Sequence, residues 1–296
     1  MASAFEPSGD LLDEFRRTIA ERGITHRSGD SYIAPAKVPQ SLRQFLGKAL
    51  PRPPLAIAVD VYGTILASPE GEVGLGADSI DAELAVDSAG KAFPHDMAER
   101  LREIVAADHE SGRTVGFPWP EVDAPSVFAR ALDMSLEDGA RTCVAWECTM
   151  NRCQAMPGAS GFILSCTARG LPLGIVSNAQ FYTLLFIEEA FGDVLGFDPE
   201  LVMWSYEGGR AKPDRWMFDE LARRLSARGV PADRVLYVGN DARNDCVPAS
   251  EAGMMTALFC GDARSFKPRL DDPRVAACPP STVVQSWAEL GRLLCI

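Results

Sequence analysis

The chain has 296 residues, of which 47% are hydrophobic and 24% charged, a composition that excludes a disordered or fibrous protein. Its formal net charge of -12 argues against nucleic-acid binding, which needs a dense basic surface. No apolar run approaches the roughly 20 residues of a membrane-spanning helix, and the first residues lack the basic-then-apolar order of a signal peptide. We therefore expect a soluble, cytoplasmic protein with neither a nucleic-acid nor a membrane partner.

The eight cysteines are expected to be reduced and buried, because the chain is large and shows no export signal. Cys143, Cys148 and Cys153 are five residues apart, which places them on different faces of a helix. The spacing differs from the short Cys-x-x-Cys type of a zinc site. The sequence thus predicts no metal site at these cysteines.

Residues 1–54 are predicted to form an extension with one helix, from about Leu11 to Glu21, that ends at the breaker Pro51-Arg52-Pro53-Pro54. The next residues, Leu55 to Val59, form a continuous apolar run, the pattern of a strand buried on both faces of a parallel sheet. Asp60 lies directly at its carboxyl end.

Similar apolar runs recur along the second half of the chain and alternate with helical patterns. The helices are expected over Gln180 to Ala190 and over Asp214 to Arg228, with Asp214 as N-cap and Gly229 after the last turn. The alternation predicts an α/β fold, with a Rossmann-like parallel sheet and helices on both faces. The strand candidates are 173–176, 235–238 and 256–259, with weaker patterns at 201–204 and 282–284.

About 100 residues separate the first two strands, far more than a crossover helix requires. Residues 68–156 are mostly helical in pattern, with amphipathic stretches that begin at Pro94, Pro125 and Glu137. We therefore predict a helical cap domain at 68–156, inserted into an α/β core formed by residues 55–67 and 157–296.

Polar residues follow several of the predicted strands. They are Asp60, the pair Ser177-Asn178, Lys212 in the loop before the second helix, and the segment Gly239-Asn240-Asp241-Ala242-Arg243-Asn244-Asp245. Ligands of open parallel sheets bind at the carboxyl ends of the strands. These four segments therefore predict one site.

The order and content of the four segments resemble the four motifs of the haloacid dehalogenase-like (HAD) superfamily, over roughly Leu55 to Gly261. The resemblance implies a hydrolase with Asp60 as nucleophile, Ser177 and Lys212 holding the charged group of a small-molecule substrate, and a Mg²⁺ site at the acidic fourth segment. Catalytic candidates are Asp60, Tyr62, Thr64, Ser177 and Lys212. Substrate-binding candidates are Ser177, Asn178 and Lys212, and metal candidates are Asp60, Tyr62, Asn240, Asp241 and Asp245.

Each of these residues also has a purely structural interpretation. Ser177-Asn178 is typical of a helix cap, Lys212-Pro213-Asp214 of a solvated loop, and Asp241 with Asp245 of acids in the first turn of a helix. For Asp60, an aspartate that ends an apolar strand and is followed closely by Gly63-Thr64 favours catalysis.

Tyr62 departs from the phosphatase pattern of this superfamily, in which a second aspartate two residues after the nucleophile transfers protons. A tyrosine, with an ordinary pKa near 10, is a poor base at neutral pH. Asp-x-Tyr-Gly-Thr resembles the dehalogenase branch instead, in which halide leaves without protonation and no metal is used. The acidic fourth segment favours Mg²⁺.

Three functions follow, in order of preference. The first is a Mg²⁺-dependent hydrolase of a small phosphorylated metabolite, the second a metal-independent 2-haloacid dehalogenase-like enzyme, and the third a non-catalytic binding protein. A dehalogenase would need a cation for the substrate carboxylate, yet no Arg or Lys lies between Leu66 and Gly90. Candidates in the cap are Arg100, Arg102, Arg113 and Arg152, with His95, Trp119, Glu147 and Asn151 as further cap residues. A homodimer is compatible with the sequence.

Overall fold

The computed structural model describes residues 5–24, 33–68, 92–194 and 196–296. Its centre is a six-stranded parallel sheet with the strand order β5-β4-β1-β6-β7-β8. The strands are β1 (Ala56–Val59), β4 (Leu173–Ser177), β5 (Phe197–Trp204), β6 (Val235–Gly239), β7 (Met255–Phe259) and β8 (Thr282–Val284). All six strands predicted from apolar runs are confirmed, and with them the α/β class.

The sheet is buried because helices cover both of its faces. β1, β4, β6 and β7 are buried at every position, which explains why their sequences are continuously apolar rather than alternating. The helices of this core are α5 (Ala159–Ala168), α6 (Thr183–Phe191), α7 (Ser205–Gly208), α8 (Trp216–Ala227), α9 (Val247–Glu251), α10 (Pro273–Ala277) and α11 (Trp287–Leu294).

Two helix starts differ from the sequence prediction. The helix predicted from Asp214 begins at Trp216, with Arg215 at the N-cap, and Asp214 Oδ1 accepts a hydrogen bond from the Trp216 backbone N–H at 2.9 Å. The helix predicted from Gln180 begins at Thr183. In both cases side-chain and turn contacts of the preceding loop replace the first predicted turn, and neither shift could be read from apolar spacing.

The described part of the predicted insertion 68–156 contains three helices, in agreement with its helical pattern: α2 (Met97–Thr114), α3 (Ala124–Leu132) and α4 (Leu136–Met150). The short strands β2 (Leu66–Ala67) and β3 (Gln154–Ala155) pair antiparallel where this segment leaves and rejoins the core. The helix predicted to reach Gln154 ends at Met150, because residues 154–155 are extended in β3. The stretch 69–91 of the predicted cap lies outside the described residues.

The predicted N-terminal helix is confirmed as α1 (Gly9–Thr18), followed by one wide turn at Ile19–Gly23. It contacts both the inserted helix α4 and the core helix α6. Glu14 forms an ion pair with Arg141 of α4 at 3.1 Å, and Arg16 one with Glu188 of α6 at 3.4 Å. The extension thus joins the inserted helices to the core. No helix in the described ranges is both long and apolar enough to cross a membrane.

Candidate active site

Asp60 is the first residue after β1, in the centre of the sheet, and its backbone N–H donates to Val238 O of the adjacent strand at 2.9 Å. The chain then turns sharply through Gly63, whose φ is +79°. A Cβ atom there would lie 2.4 Å from Asn240 Nδ2 and 2.7 Å from Ser265, so only glycine fits. The turn holds the Asp60 carboxylate, 7% exposed, at the carboxyl edge of the sheet.

Lys212 lies beside this carboxylate, as the sequence predicted for one shared site. Its Nζ donates to Asp60 Oδ1 at 2.7 Å and to Asp245 Oδ1 at 2.6 Å, and it lies 3.3 Å from the Tyr237 hydroxyl. Burial alone lowers the pKa of Lys212, but the two carboxylates, Asp245 first, outweigh it and raise that pKa above its ordinary value. The ammonium therefore remains charged at neutral pH.

The loop after β4 fixes the position of Lys212 rather than capping the helix that follows. The Asn178 side chain accepts a hydrogen bond from the Lys212 backbone N–H at 2.6 Å and donates to its carbonyl at 3.3 Å. No side chain caps α6. Ser177 is buried, and its hydroxyl donates to the Asn178 carbonyl at 3.2 Å. Both residues line the same cavity as Asp60.

The acidic fourth segment is engaged in protein contacts. Asp241 Oδ1 accepts the backbone N–H groups of Arg243 and Asn244 at 2.9 and 3.1 Å, and Oδ2 pairs with Arg269 at 2.9 Å. Asp245 Oδ1 accepts from Lys212 and Tyr237, while Oδ2 accepts the Asp241 backbone N–H at 2.9 Å. Every carboxylate oxygen of Asp241 and Asp245 therefore has a partner in the protein. Asp241 has the predicted role in the first turn and also forms an ion pair.

In this arrangement the donors are engaged by protein partners rather than converging on the predicted Mg²⁺ ion. Mg²⁺ requires carboxylate, carbonyl or water oxygens that converge on one point in near-octahedral geometry. Among the described residues, no group of three or more His, Cys, Asp or Glu side chains is arranged to hold a metal ion. Asn240 is also occupied, since its Nδ2 donates to Ser265 O at 2.6 Å and its Oδ1 accepts from Thr64 at 3.4 Å.

Tyr62 is directed into the protein interior. Its hydroxyl forms a 3.1 Å hydrogen bond with Thr183, and the residue is 2% exposed. Burial, followed by the nearby Glu147 carboxylate, raises the pKa of Tyr62 well above 10. The hydroxyl therefore cannot act as a base at neutral pH, as the sequence indicated. Thr64, also buried, holds Asn240 and accepts the Trp287 indole N–H on its carbonyl at 3.1 Å.

The loop that carries Asp60 opens into a cavity of about 410 Å³, a volume typical of small-molecule sites. Besides the strand-end residues, the inserted segment contributes part of its lining: His109 and Arg113 from α2, and Trp119 and Glu121 from the loop before α3. Arg243 and Lys267, which follow β6 and β7, also line it. The cavity is thus shared between the sheet edge and the insertion.

Glu121, on the inserted wall, lies in a largely enclosed environment. Its carboxylate accepts hydrogen bonds from the Ser205 hydroxyl and from the Val122 backbone N–H at 3.0 Å, with the Gln180 amide at 3.5 Å. Burial raises the pKa of Glu121 to about 7, against the lowering effect of Ser205 and Val122. Sequence analysis did not find this residue, because Trp119-Pro120-Glu121 carries no motif.

The other candidate residues of the insertion differ in whether they reach the cavity. Arg113 and Trp119 reach the cavity, whereas Arg100 pairs with Asp96 on the exposed face of α2 at 2.8 Å. Glu147 and Asn151 are buried and bonded to each other at 2.7 Å. Sequence analysis missed His109, Arg243 and Lys267 as well as Glu121, since isolated basic residues have no distinguishing pattern. The cysteines 143, 148 and 153 are buried thiols, as expected.

The sequence model of the haloacid dehalogenase-like hydrolase family matches residues 54–253, about two thirds of the chain. Similar solved structures include a dehalogenase with an intermediate complex (18% identity, 83% of this chain and 100% of that one, TM-score 0.53). Others are the Mg²⁺-bound HAD hydrolase YfnB from Bacillus subtilis (18%, 83% and 100%, 0.52) and a 2-haloacid dehalogenase from Pseudomonas syringae pv. Tomato (19%, 81% and 97%, 0.51). No curated protein matches the sequence.

Proposed function

Because the chain belongs to the haloacid dehalogenase-like hydrolase family, we propose that it is a metal-independent hydrolase in which Asp60 displaces a halide from the carbon of a small 2-haloacid. This was the second of the three functions drawn from the sequence. The sequence favoured the magnesium-dependent phosphatase because of the acidic fourth segment. Since that segment is engaged in protein contacts, we now place the dehalogenase first.

The proposal depends on one observation: the protein itself occupies the carboxylates that a metal would need. Asp241 is neutralised by Arg269, and Asp245 by Lys212. A phosphate dianion approaching Asp60 without a metal would meet like-charge repulsion at the reacting phosphorus itself, where Lys212 is the cation bonded to Asp60. A 2-haloacid carries one negative charge, on the carboxylate next to the reacting carbon, and therefore repels Asp60 less than a dianion does. The leaving halide also needs no proton donor, a role for which the buried Tyr62 is unsuited.

The two oxygens of Asp60 have different surroundings. Oδ1 is bound by Lys212 at 2.7 Å, whereas no hydrogen bond from a described residue reaches Oδ2. We assign Oδ2 as the nucleophile: it forms the new C–O bond as the C–halogen bond breaks and halide departs. Oδ1 then becomes the carbonyl oxygen of the ester. When water adds to that carbonyl carbon, the developing negative charge on Oδ1 lies beside the Lys212 ammonium. Collapse of this intermediate breaks the bond between the carbonyl carbon and Oδ2, so the hydroxyacid leaves with Oδ2 as its new hydroxyl oxygen. One proton of the water passes to that oxygen and the other to solvent, which restores the Asp60 carboxylate.

The helices of 92–156 act in this proposal as the predicted cap. They supply one wall of the cavity through Trp119, and the 116–124 loop is tied to the core by Ala211 N–H to Trp119 O (2.8 Å) and Gln180 Nε2 to Val122 O (2.9 Å). The cation for the substrate carboxylate comes from the lining residues Arg243 and Lys267 rather than from an arginine soon after Asp60.

Magnesium-dependent phosphate transfer remains the second candidate, because Asp60 Oδ2 faces the cavity and Asp241 lies on its wall. It requires Asp241 to leave Arg269 and the backbone N–H groups it caps. The predicted metal roles of Tyr62 and Asn240 belong to this second candidate as well.

A substrate panel tests the proposal. Purified protein is assayed with 2-halocarboxylates, phosphate monoesters and acyl phosphates. Each assay is run with Mg²⁺ in about fivefold excess over protein and again with EDTA, and Asp60→Asn is the control. We expect halide release that EDTA does not change and that Asp60→Asn abolishes. Phosphate release that requires Mg²⁺, with no halide release, would contradict the proposal in favour of the second candidate. No turnover of any substrate would support the non-catalytic function.

A further inference from the structure

The strand order of the sheet determines where several charged residues lie in the cavity. Asp60 follows the central strand β1, while Arg243 and Lys267 follow β6 and β7 on one side of it. Glu121 lies on the other side, where its carboxylate accepts a hydrogen bond from Ser205 at the end of β5. Glu121 therefore lies at the β5 end of the cavity and Arg243 with Lys267 at the β6–β7 end, with Asp60 between them; His109 and Arg113 of α2 share the inserted wall with Glu121.

Glu121 differs from the other acids of the cavity in the charge of its partners. Asp60 and Asp245 are each paired with Lys212, and Asp241 with Arg269. Among the described residues, the partners of Glu121 are the neutral donors Ser205, Val122 and Gln180, and no Lys, Arg or His lies within ion-pair distance. Burying a carboxylate without a cation costs free energy, and this cost is consistent with a binding role.

The hydrogen bonds of Glu121 also leave room for one more donor. An ionised carboxylate offers about four acceptor positions, and the three neutral donors use three of them. The residue is partly exposed and lines the cavity. Trp119, two residues earlier, lines the same wall and presents an aromatic surface, the second group that commonly recognises an organic ammonium ion.

We propose that the substrate is zwitterionic, and that Glu121 receives a protonated amine at the end of the substrate opposite to the carboxylate, which faces Arg243 and Lys267. This inference rests on the proposed function for the position of the reacting carbon beside Asp60. It makes Glu121 a specificity-determining residue. It also names the substrate class, an amino-substituted 2-haloacid.

A binding experiment tests the amine site independently of turnover. Calorimetry measures the affinity of the wild-type protein for 5-aminopentanoate and for pentanoate, neither of which carries a leaving group. We expect the amino acid to bind at least about tenfold more tightly, the range of a charge-assisted hydrogen bond. In Glu121→Gln, which keeps the size of the side chain but not its charge, we expect the ratio of affinities to fall towards one.

A kinetic experiment tests whether the enzyme also prefers the amino substrate in turnover. In the wild type, kcat/KM for 5-amino-2-chloropentanoate should exceed that for 2-chloropentanoate by at least about tenfold. In Glu121→Gln the two values should be nearly equal, because KM for the amino substrate rises while its kcat stays the same. Glu188→Gln, a surface variant far from the cavity, serves as the matched control and should keep the wild-type ratio. Ser205→Ala removes one neutral partner of Glu121, together with the acceptor of the Ala179 backbone N–H, but leaves the charge of Glu121 in place; it should retain the preference for the amine.

The outcomes separate the two proposals. Preferential binding of 5-aminopentanoate that depends on Glu121, together with no halide release, would support the amine site and reject the dehalogenase function. Halide release from both chloropentanoates at equal kcat/KM, or equal binding of the two unreactive acids, or no binding of either, would overturn the inference. A ratio that Glu121→Gln leaves unchanged would overturn it as well.

Discussion

The two walls of the cavity differ in how their residues are placed. On the sheet side, Asp60, Ser177 and Asn178 follow buried strands directly, and their positions are set by the backbone of the core. On the inserted side, Arg113 lies near the end of a helix and Glu121 in a loop, and both depend on how the insertion packs against the core. In the proposed function, the reacting groups therefore belong to the sheet, and recognition of the amine belongs to the insertion.

The largest effect is expected for Lys212→Met, which acts on the sheet side. The variant leaves Asp60 and Asp245 buried without their shared cation, so we expect unfolding free energy to fall by about 3–5 kcal/mol. Halide release should fall by about 10²- to 10³-fold, because the charge beside Oδ1 is lost. Urea denaturation and steady-state kinetics measure the two quantities.

The double variant Lys212→Met with Asp245→Asn is the control for this prediction. It removes one of the two unpaired charges, so part of the stability should return while activity stays low. If the single variant unfolds at the same urea concentration as the wild type, the lysine does not bind the two carboxylates as the structure shows.

Asp241→Asn is expected to have a smaller effect than Lys212→Met. It distinguishes the metal-independent dehalogenase from the magnesium-dependent phosphatase. If Asp241 only caps a turn and pairs with the partly exposed Arg269, halide release should stay within about threefold of the wild type. The unfolding free energy should fall by about 1 kcal/mol. A loss of more than about 100-fold, restored in part by high Mg²⁺, would instead identify Asp241 as a metal ligand.

The smallest effect is expected for Tyr62→Phe. The hydroxyl contacts Thr183 and does not take part in the reaction, so activity should stay within about twofold and the unfolding free energy should fall by about 1 kcal/mol. The pH profile of kcat/KM should be unchanged. A new or missing limb in that profile would show that the hydroxyl takes part in proton transfer.

Most of the sheet could be predicted from sequence, since a strand buried on both faces is a continuous apolar run and needs no partner to be recognised. The same holds for Asp60 and Lys212, which the resemblance identified. The orientation of Tyr62 and the contacts of Asp241 could not be predicted, because both depend on residues distant in sequence. Tyr62 meets Thr183, 121 residues away, and Asp241 meets Arg269, 28 residues away.

Glu121 and His109 were missed for a related reason. A helix or loop residue reaches a cavity only when the whole segment is oriented against the core, and a single sequence contains no signal for that orientation. In the structure, the orientation comes from hydrogen bonds between loops, such as Gln180 Nε2 to Val122 O and Glu121 N to Gly209 O. Both bonds end on backbone carbonyl groups, which every residue carries, so they leave no signature in the sequence.

The central claim is that the Asp60 carboxylate attacks carbon and that water then attacks the resulting ester. A single turnover in H₂¹⁸O, with protein in excess over 2-haloacid and EDTA present, tests it directly by mass spectrometry of the peptide that contains Asp60 and of the hydroxyacid product. We predict that ¹⁸O enters the Asp60 carboxylate and that the first product molecules contain only ¹⁶O in the new hydroxyl group. A product that carries ¹⁸O in the first turnover, with an unlabelled Asp60 peptide, would contradict the account.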